Sequence, residues 1–150
     1  AIYEITASTK NMTDLDLPVG LEKFRSKLEP TVKPYVKIQT RFTRETTLWQ
    51  SKFAGFPYLP KSFDYPTTPE GEYLHLLAQI NFDEVPNLAG FPTTGILQFY
   101  IARDGMYGLD FENPTNQSNF RVLYFPELER NEDSLITDFD FLPTLWDYDK

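Results

Sequence analysis

The chain has no cysteine and a single histidine, His75. The first absence removes disulfides, thiol nucleophiles and thiolate metal sites together. The second makes a three-histidine zinc centre impossible within the chain. No apolar run approaches the roughly 18 residues that a membrane helix needs. No signal-peptide pattern opens the sequence, so a soluble cytoplasmic protein with no membrane contact is the expectation. Glycine is sparse, seven residues without a G-x-x-x-x-G-K-[ST] or G-x-G-x-x-G run, which leaves no phosphate cradle and implies no cofactor. Lys and Arg number 14 against 22 Asp and Glu, a formal charge of −8 that argues against nucleic acid as a partner.

What is present points to sheet. Thirteen Phe and nine Tyr among 150 residues favour strands over helices, and twelve prolines leave room for few long helices. The reading is one α+β domain, mostly antiparallel β-sheet with one N-terminal amphipathic helix. Two apolar runs, Leu74–Phe82 and Gly95–Ala102, flank a connector carrying Pro86, Gly90 and Pro92 and are expected to lie side by side in the middle of the sheet. Leu17–Leu28 is expected to be the helix, with Pro18 in its first turn and Leu21, Phe24 and Leu28 on one face, against something apolar. Tyr35–Phe42 alternates, Val36, Ile38, Thr40 and Phe42 against Lys37, Gln39 and Arg41, as a half-exposed strand. Further strands are expected at Glu45–Trp49, Met106–Phe111 and Asn119–Phe125, whereas Ala1–Asp16 reads as a lead-in or edge segment. Ser51–Pro66 holds three prolines and five aromatics, too irregular for a helix or a central strand, so a stiff loop is expected there.

The acids are unevenly distributed. Residues 1–61 carry ten Lys and Arg against six Asp and Glu, and residues 62–150 carry four against sixteen. Neither a nucleophile elbow nor a His-carboxylate arrangement surrounds His75, which reads as a strand-face residue with a hydrogen-bond partner. Asp104, Asp110 and Glu112, and Asp138 with Asp140, are pairs that chance alone produces in so acidic a chain. No loop has the twelve-residue calcium pattern, so no metal and no catalytic residues are assigned. Gln79, Asn81 and Gln98 are more informative. Gln79 and Asn81 share one face of a strand, opposite Ala78, Ile80 and Phe82. Two readings stay open: the amides satisfy backbone groups of the Pro-rich loop, or they line a polar pocket beside Phe56 and Tyr58.

Phe53-Ala54-Gly55-Phe56-Pro57-Tyr58-Leu59-Pro60, Leu77-Ala78-Gln79-Ile80-Asn81-Phe82, Gly95-Ile96-Leu97-Gln98-Phe99-Tyr100, Tyr107-Gly108-Leu109-Asp110-Phe111 and Phe120-Arg121-Val122-Leu123-Tyr124 follow one another in order. That succession, over about Ser51 to Phe141, resembles the YwqG-like family of uncharacterised bacterial proteins. The resemblance implies an α+β fold dominated by antiparallel sheet, no established catalytic activity, and a role as an immunity-type or other protein-binding module. Members of that family usually continue further, so the expectation is either a natural short form or a chain lacking a C-terminal part, and the apolar residues of Leu135–Trp146, which need a surface to bury against, fit the second.

Two functions follow as expectations. The first is a non-enzymatic protein-binding module, using the aromatic loop Phe53–Tyr65 and the acidic C-terminal segment to neutralise a basic protein. The second is a small-molecule or carbohydrate-binding protein, or an enzyme, with Tyr58, Gln79, Asn81 and Gln98 in a cleft.

Overall fold

The computed structural model describes residues 2–10 and 15–143. Six antiparallel strands form one sheet: β1 (Ile2–Lys10), β2 (Tyr35–Thr43), β3 (Lys52–Phe53), β4 (His75–Asn81), β5 (Ile96–Ile101) and β6 (Phe120–Phe125), in the order β2-β1-β3-β4-β5-β6. The two apolar runs are β4 and β5, paired antiparallel and both interior, as expected. β1 and β2 form a long ribbon paired from Ile2↔Thr43 to Lys10↔Tyr35. Only the two residues of β3 join that ribbon to β4, through Tyr3↔Phe53, Glu4↔Lys52, Lys52↔Gln79 and Phe53↔Ala78.

This register sets two neighbouring rows across all six strands. Arg41, Glu4, Lys52, Gln79, Gln98 and Leu123 form one; Phe42, Tyr3, Phe53, Ala78, Phe99 and Val122 form the next. Successive residues of a strand point to opposite faces, so one face carries a polar row and the other an apolar row. Burial inverts the usual arrangement. Lys52, Gln79 and Gln98 are fully buried, whereas Phe42, Tyr3 and Val122 stand exposed. The residues that cover the polar face come from loops. Tyr58 and Leu135 pack on Ile96, with Leu48, Trp49, Phe125 and Leu128 around them. A second cluster gathers Leu74, Leu76, Tyr100 and Ala102 against Tyr65 and Leu123.

Several expected elements differ. Ala1–Asp16 contains β1, which lies inside the sheet, because it pairs with β2 along its whole length and with β3 at Tyr3 and Glu4. Glu45–Trp49 is not a strand; its carbonyls bend inward to accept side-chain hydrogen bonds. Ser51–Pro66 is not all loop, since its second and third residues are the central strand β3. Positive φ at Ala54 and Gly55 (59° and 77°) turns the chain out of the sheet straight afterwards. Met106–Phe111 is a turn, because the Asp104 carboxylate accepts from Met106 N and Gly108 N at 2.9 Å each and closes it. The expected helix is three pieces, 3₁₀ at Val19–Phe24, one α-turn at Arg25–Leu28 (α1), and 3₁₀ at Glu29–Thr31. None of its residues is buried, and no side chain caps the first piece, which starts after Pro18 with Gly20 in its first turn. Leu135 and Phe139, expected to need a covering partner, are already buried against the loop. Leu145 and Trp146 lie outside the described residues.

Two glycines fix the β5–β6 edge. Gly95 (φ +89°) and Gly108 (φ +85°) would place a Cβ 2.4 Å from Phe125 O and 1.9 Å from Asn119 O. Gly95→Ala therefore combines left-handed strain with a backbone clash and should destabilise the fold by about 2 kcal/mol or more. Thermal unfolding should show a loss of several degrees, while Gly20→Ala, with nothing within 4 Å, should leave the midpoint in place.

Candidate functional site

The polar row is held by the coil above it. Gln79 Oε1 accepts from Tyr58 N (2.8 Å) and from Gln98 Nε2 (2.8 Å). Its Nε2 donates to Leu48 O (2.7 Å) and Gln50 O (2.9 Å). A Gln side chain has two donor hydrogens and two acceptor lone pairs, so Gln79 has none to spare. Gln98 Nε2 also donates to Tyr58 O at 2.6 Å, and its Oε1 accepts from Tyr100 Oη at 3.0 Å. Asn81 Nδ2 donates to Trp49 O at 3.1 Å while its Oδ1 accepts from Asp83 N at 3.0 Å. The three amides thus clamp two loop segments, 48–50 and Tyr58, onto β4 and β5.

Beside them sits a buried cation that sequence reading did not single out. Lys52 Nζ donates to Thr47 O (2.6 Å) and Leu48 O (3.3 Å). Its burial pushes the ammonium down to about 8, with the Glu84 carboxylate pulling the other way. Glu84 accepts from Ser51 N at 2.6 Å, and Ser51 Oγ accepts from Asn81 N at 2.9 Å. Ser51, Lys52 and Glu84 could not be found by motif, because nothing in Ser-Lys-Phe marks a strand at the centre of a sheet. At the rim Glu4 accepts from Arg41 Nη2 at 2.6 Å and from Gln50 Nε2 at 3.0 Å.

The aromatic loop splits in two. Tyr58 is buried, edge-on to Phe125 (5.4 Å), and its hydroxyl accepts from Glu129 N at 2.8 Å. Phe56 is exposed and stacks on Phe139 at 4.7 Å with the rings 5° from parallel. Phe56 and Tyr58 therefore do not form one pocket with the amides. Where the loop meets the acidic segment, a cleft of about 620 Å³ opens, lined by Tyr58, Lys61, Phe125, Glu127, Leu128 and Glu129 among others. Lys61 Nζ is engaged on Asp133 O at 2.8 Å, and half-exposed Phe63 leans on Phe125 at 5.4 Å.

The other candidates of the sequence are structural. Asp110 accepts from Glu112 N, Asn113 N and Asn116 Nδ2, bonds that hold its carboxyl below the usual range. Asp138 accepts from Asp140 N within a turn. His75 departs from expectation: its Nε2 is buried without a hydrogen-bond partner among the described residues. Burial and the charge of Arg103 lower its pKa, so the ring is neutral at pH 7. Among the described residues no group of three His, Asp or Glu could hold a metal, and no helix is long and apolar enough to cross a membrane.

Residues 51–147 match the family described as Domain of unknown function (DUF1963). The chain belongs to that family. The resemblance read from Ser51 to Phe141 falls inside the match. The DUF1963 segment begins one residue before β3 and takes in the clamp residues on β3, β4 and β5 together with the aromatic loop. The β1–β2 ribbon lies outside it. No curated protein matches the chain.

Gln79→Leu leaves Tyr58 N and Gln50 O without partners, at ~1–3 kcal/mol for each buried group left unpaired, and takes one of two bonds from Leu48 O and from Gln98 Nε2. Urea unfolding should show a loss of at least ~3 kcal/mol, and an unchanged midpoint would mean that the clamp holds nothing. Lys52 gives a pH signature. Below about pH 8 folded and unfolded chains both hold its proton; between about 8 and the ordinary 10.5 only the unfolded chain does. Stability should therefore rise over that interval, by ~2–3 kcal/mol at most. Above pH 10 the buried phenols of Tyr65 and Tyr100, raised by desolvation, reverse the trend, because the unfolded chain ionises first. Lys52→Met should flatten the rise in urea melts between pH 8 and 10.

Proposed function

We propose that this chain is a YwqG-like bacterial, non-enzymatic protein-binding module that captures a basic partner, in the manner of an immunity-type protein, at the cleft between the aromatic loop and the acidic segment. The observation that carries the proposal is the make-up of the cleft. Phe125 and Leu128, with the buried Tyr58 behind them, give it an apolar lining, while Glu127 and Glu129 outnumber Lys61 and give it negative charge. Aromatic anchors with charge at the edge are what a protein interface needs for affinity and for capture speed. The excess of acids over bases in residues 62–150, sixteen against four, extends the same field. A saccharide or metabolite held by Gln79, Asn81 and Gln98 would have to displace the backbone contacts those amides make, which is why a protein partner is preferred.

Titrating basic proteins and a lysine-rich peptide against the chain tests it. Affinity should fall as salt rises, and Glu127→Lys with Glu132→Lys, two exposed positions, should weaken binding tenfold or more at low salt. Binding that ignores ionic strength, or its absence, would count against the proposal.

A further inference from the structure

The second face of the sheet has only a partial counterpart to the loops that cover the polar row. A folded domain is built of at least two layers, and on this face the described residues of the 85–92 connector stand beside Ile80, Phe82, Leu97 and Phe99 but leave Tyr3, Phe42 and Val122 exposed. That row continues into a groove of about 370 Å³ floored by Ile38, Ile80, Leu97 and Phe99, with Phe91 and Pro92 as its wall. No charged residue lines it. The segment Val19–Leu28, which joins β1 to β2, buries none of its residues there.

We propose that two copies of this chain associate through this face, each supplying the second layer of the other in a two-fold β-sandwich. Area is the first support. Tyr3, Phe42, Phe91 and Tyr124 are 41%, 58%, 56% and 42% exposed, and Ile38 and Val122 are 48% and 39% exposed. At about 200 Å² per ring the four aromatics alone leave roughly 400 Å² open. With the two aliphatic side chains the patch reaches the upper end of the ~300–600 Å² found on monomers, and approaches the ~800 Å² per partner of a standard interface. Charge is the second. The chain carries −8, yet the face is neutral, so two copies meet where neither presents a like charge to the other. A neutral, aromatic sheet face is matched by another of the same kind, packed about 10 Å away, and a self-complementary contact closes as a dimer. The edge is the third. β2 is exposed along its length, but pairing it with itself about Gln39 would set Lys37 opposite Arg41, so like charges disfavour edge association.

Sedimentation equilibrium across the micromolar range tests the assignment. The wild-type chain should be a closed dimer, tightened by sulfate and loosened at low salt, a trend opposite to that of binding at the acidic cleft. The failure of one proposal therefore leaves the other standing. Ile38→Glu with Phe42→Glu, both exposed, should keep the circular dichroism of the wild type and weaken the dimer a hundredfold or more. Phe56→Glu, on the loop, should leave the dimer as it was. A monomer at every concentration, as when Val19–Leu28 covers the face in cis, would overturn the proposal. So would open-ended association, or a dimer that survives the double variant.

Discussion

The Gln79 side chain is the constraint on which the rest of the structure depends. Its four hydrogen bonds reach the segment before β3, the loop after β3 and the neighbouring strand β5. Coil carries backbone groups that cannot be buried unpaired. By answering three such groups from one position, Gln79 lets irregular chain serve as a layer of the domain where a helix would ordinarily lie. Gln98 and Asn81 repeat the device one strand over and two residues on. Lys52 extends it, its ammonium answering the carbonyls of Thr47 and Leu48. Amides are suited to the task, since they offer donors and acceptors together without the desolvation burden of a charge.

That device explains which parts of the fold could be read from residues alone. β4, β5 and β6 were legible because their apolar runs are bounded by proline and glycine, and the shared face of Gln79 and Asn81 followed from the two-residue period. β3 was illegible because two residues carry no period, and their place in the sheet depends on pairings with Glu4 and Gln79, both distant in sequence. Glu45–Trp49 misleads for the same reason: Thr46, Thr47, Leu48 and Trp49 have strand propensity, but their carbonyls are taken by side chains. Leu21, Phe24 and Leu28 have helical spacing, and the segment is partly helical, yet spacing does not say what a face will meet.

The site reading divides along the same line. The amides stand out in the sequence as polar residues within apolar strands, and the structure brings them together with Tyr58 while leaving Phe56 outside, on Phe139. The hydrogen-bonding capacity that made them look like a binding site is spent inside the chain. The surface itself offers an acid-edged cleft on the loop side and a partly open apolar face on the other. The two proposed contacts differ in kind, because one rests on charge and the other on shape and apolar area.

The seam at β3 has a consequence for how the molecule moves. Nine paired positions bind β1 to β2, but two residues carry the sheet from that ribbon to the remaining three strands. Cooperative units divide where few contacts cross, so the ribbon and the three-strand unit need not open together. Amide protons in the outer half of the ribbon then exchange through an opening of their own, at a lower free energy than those of β4 and β5. The ladder of backbone pairing between that long strand pair and the rest of the sheet is thus confined to Lys52 and Phe53.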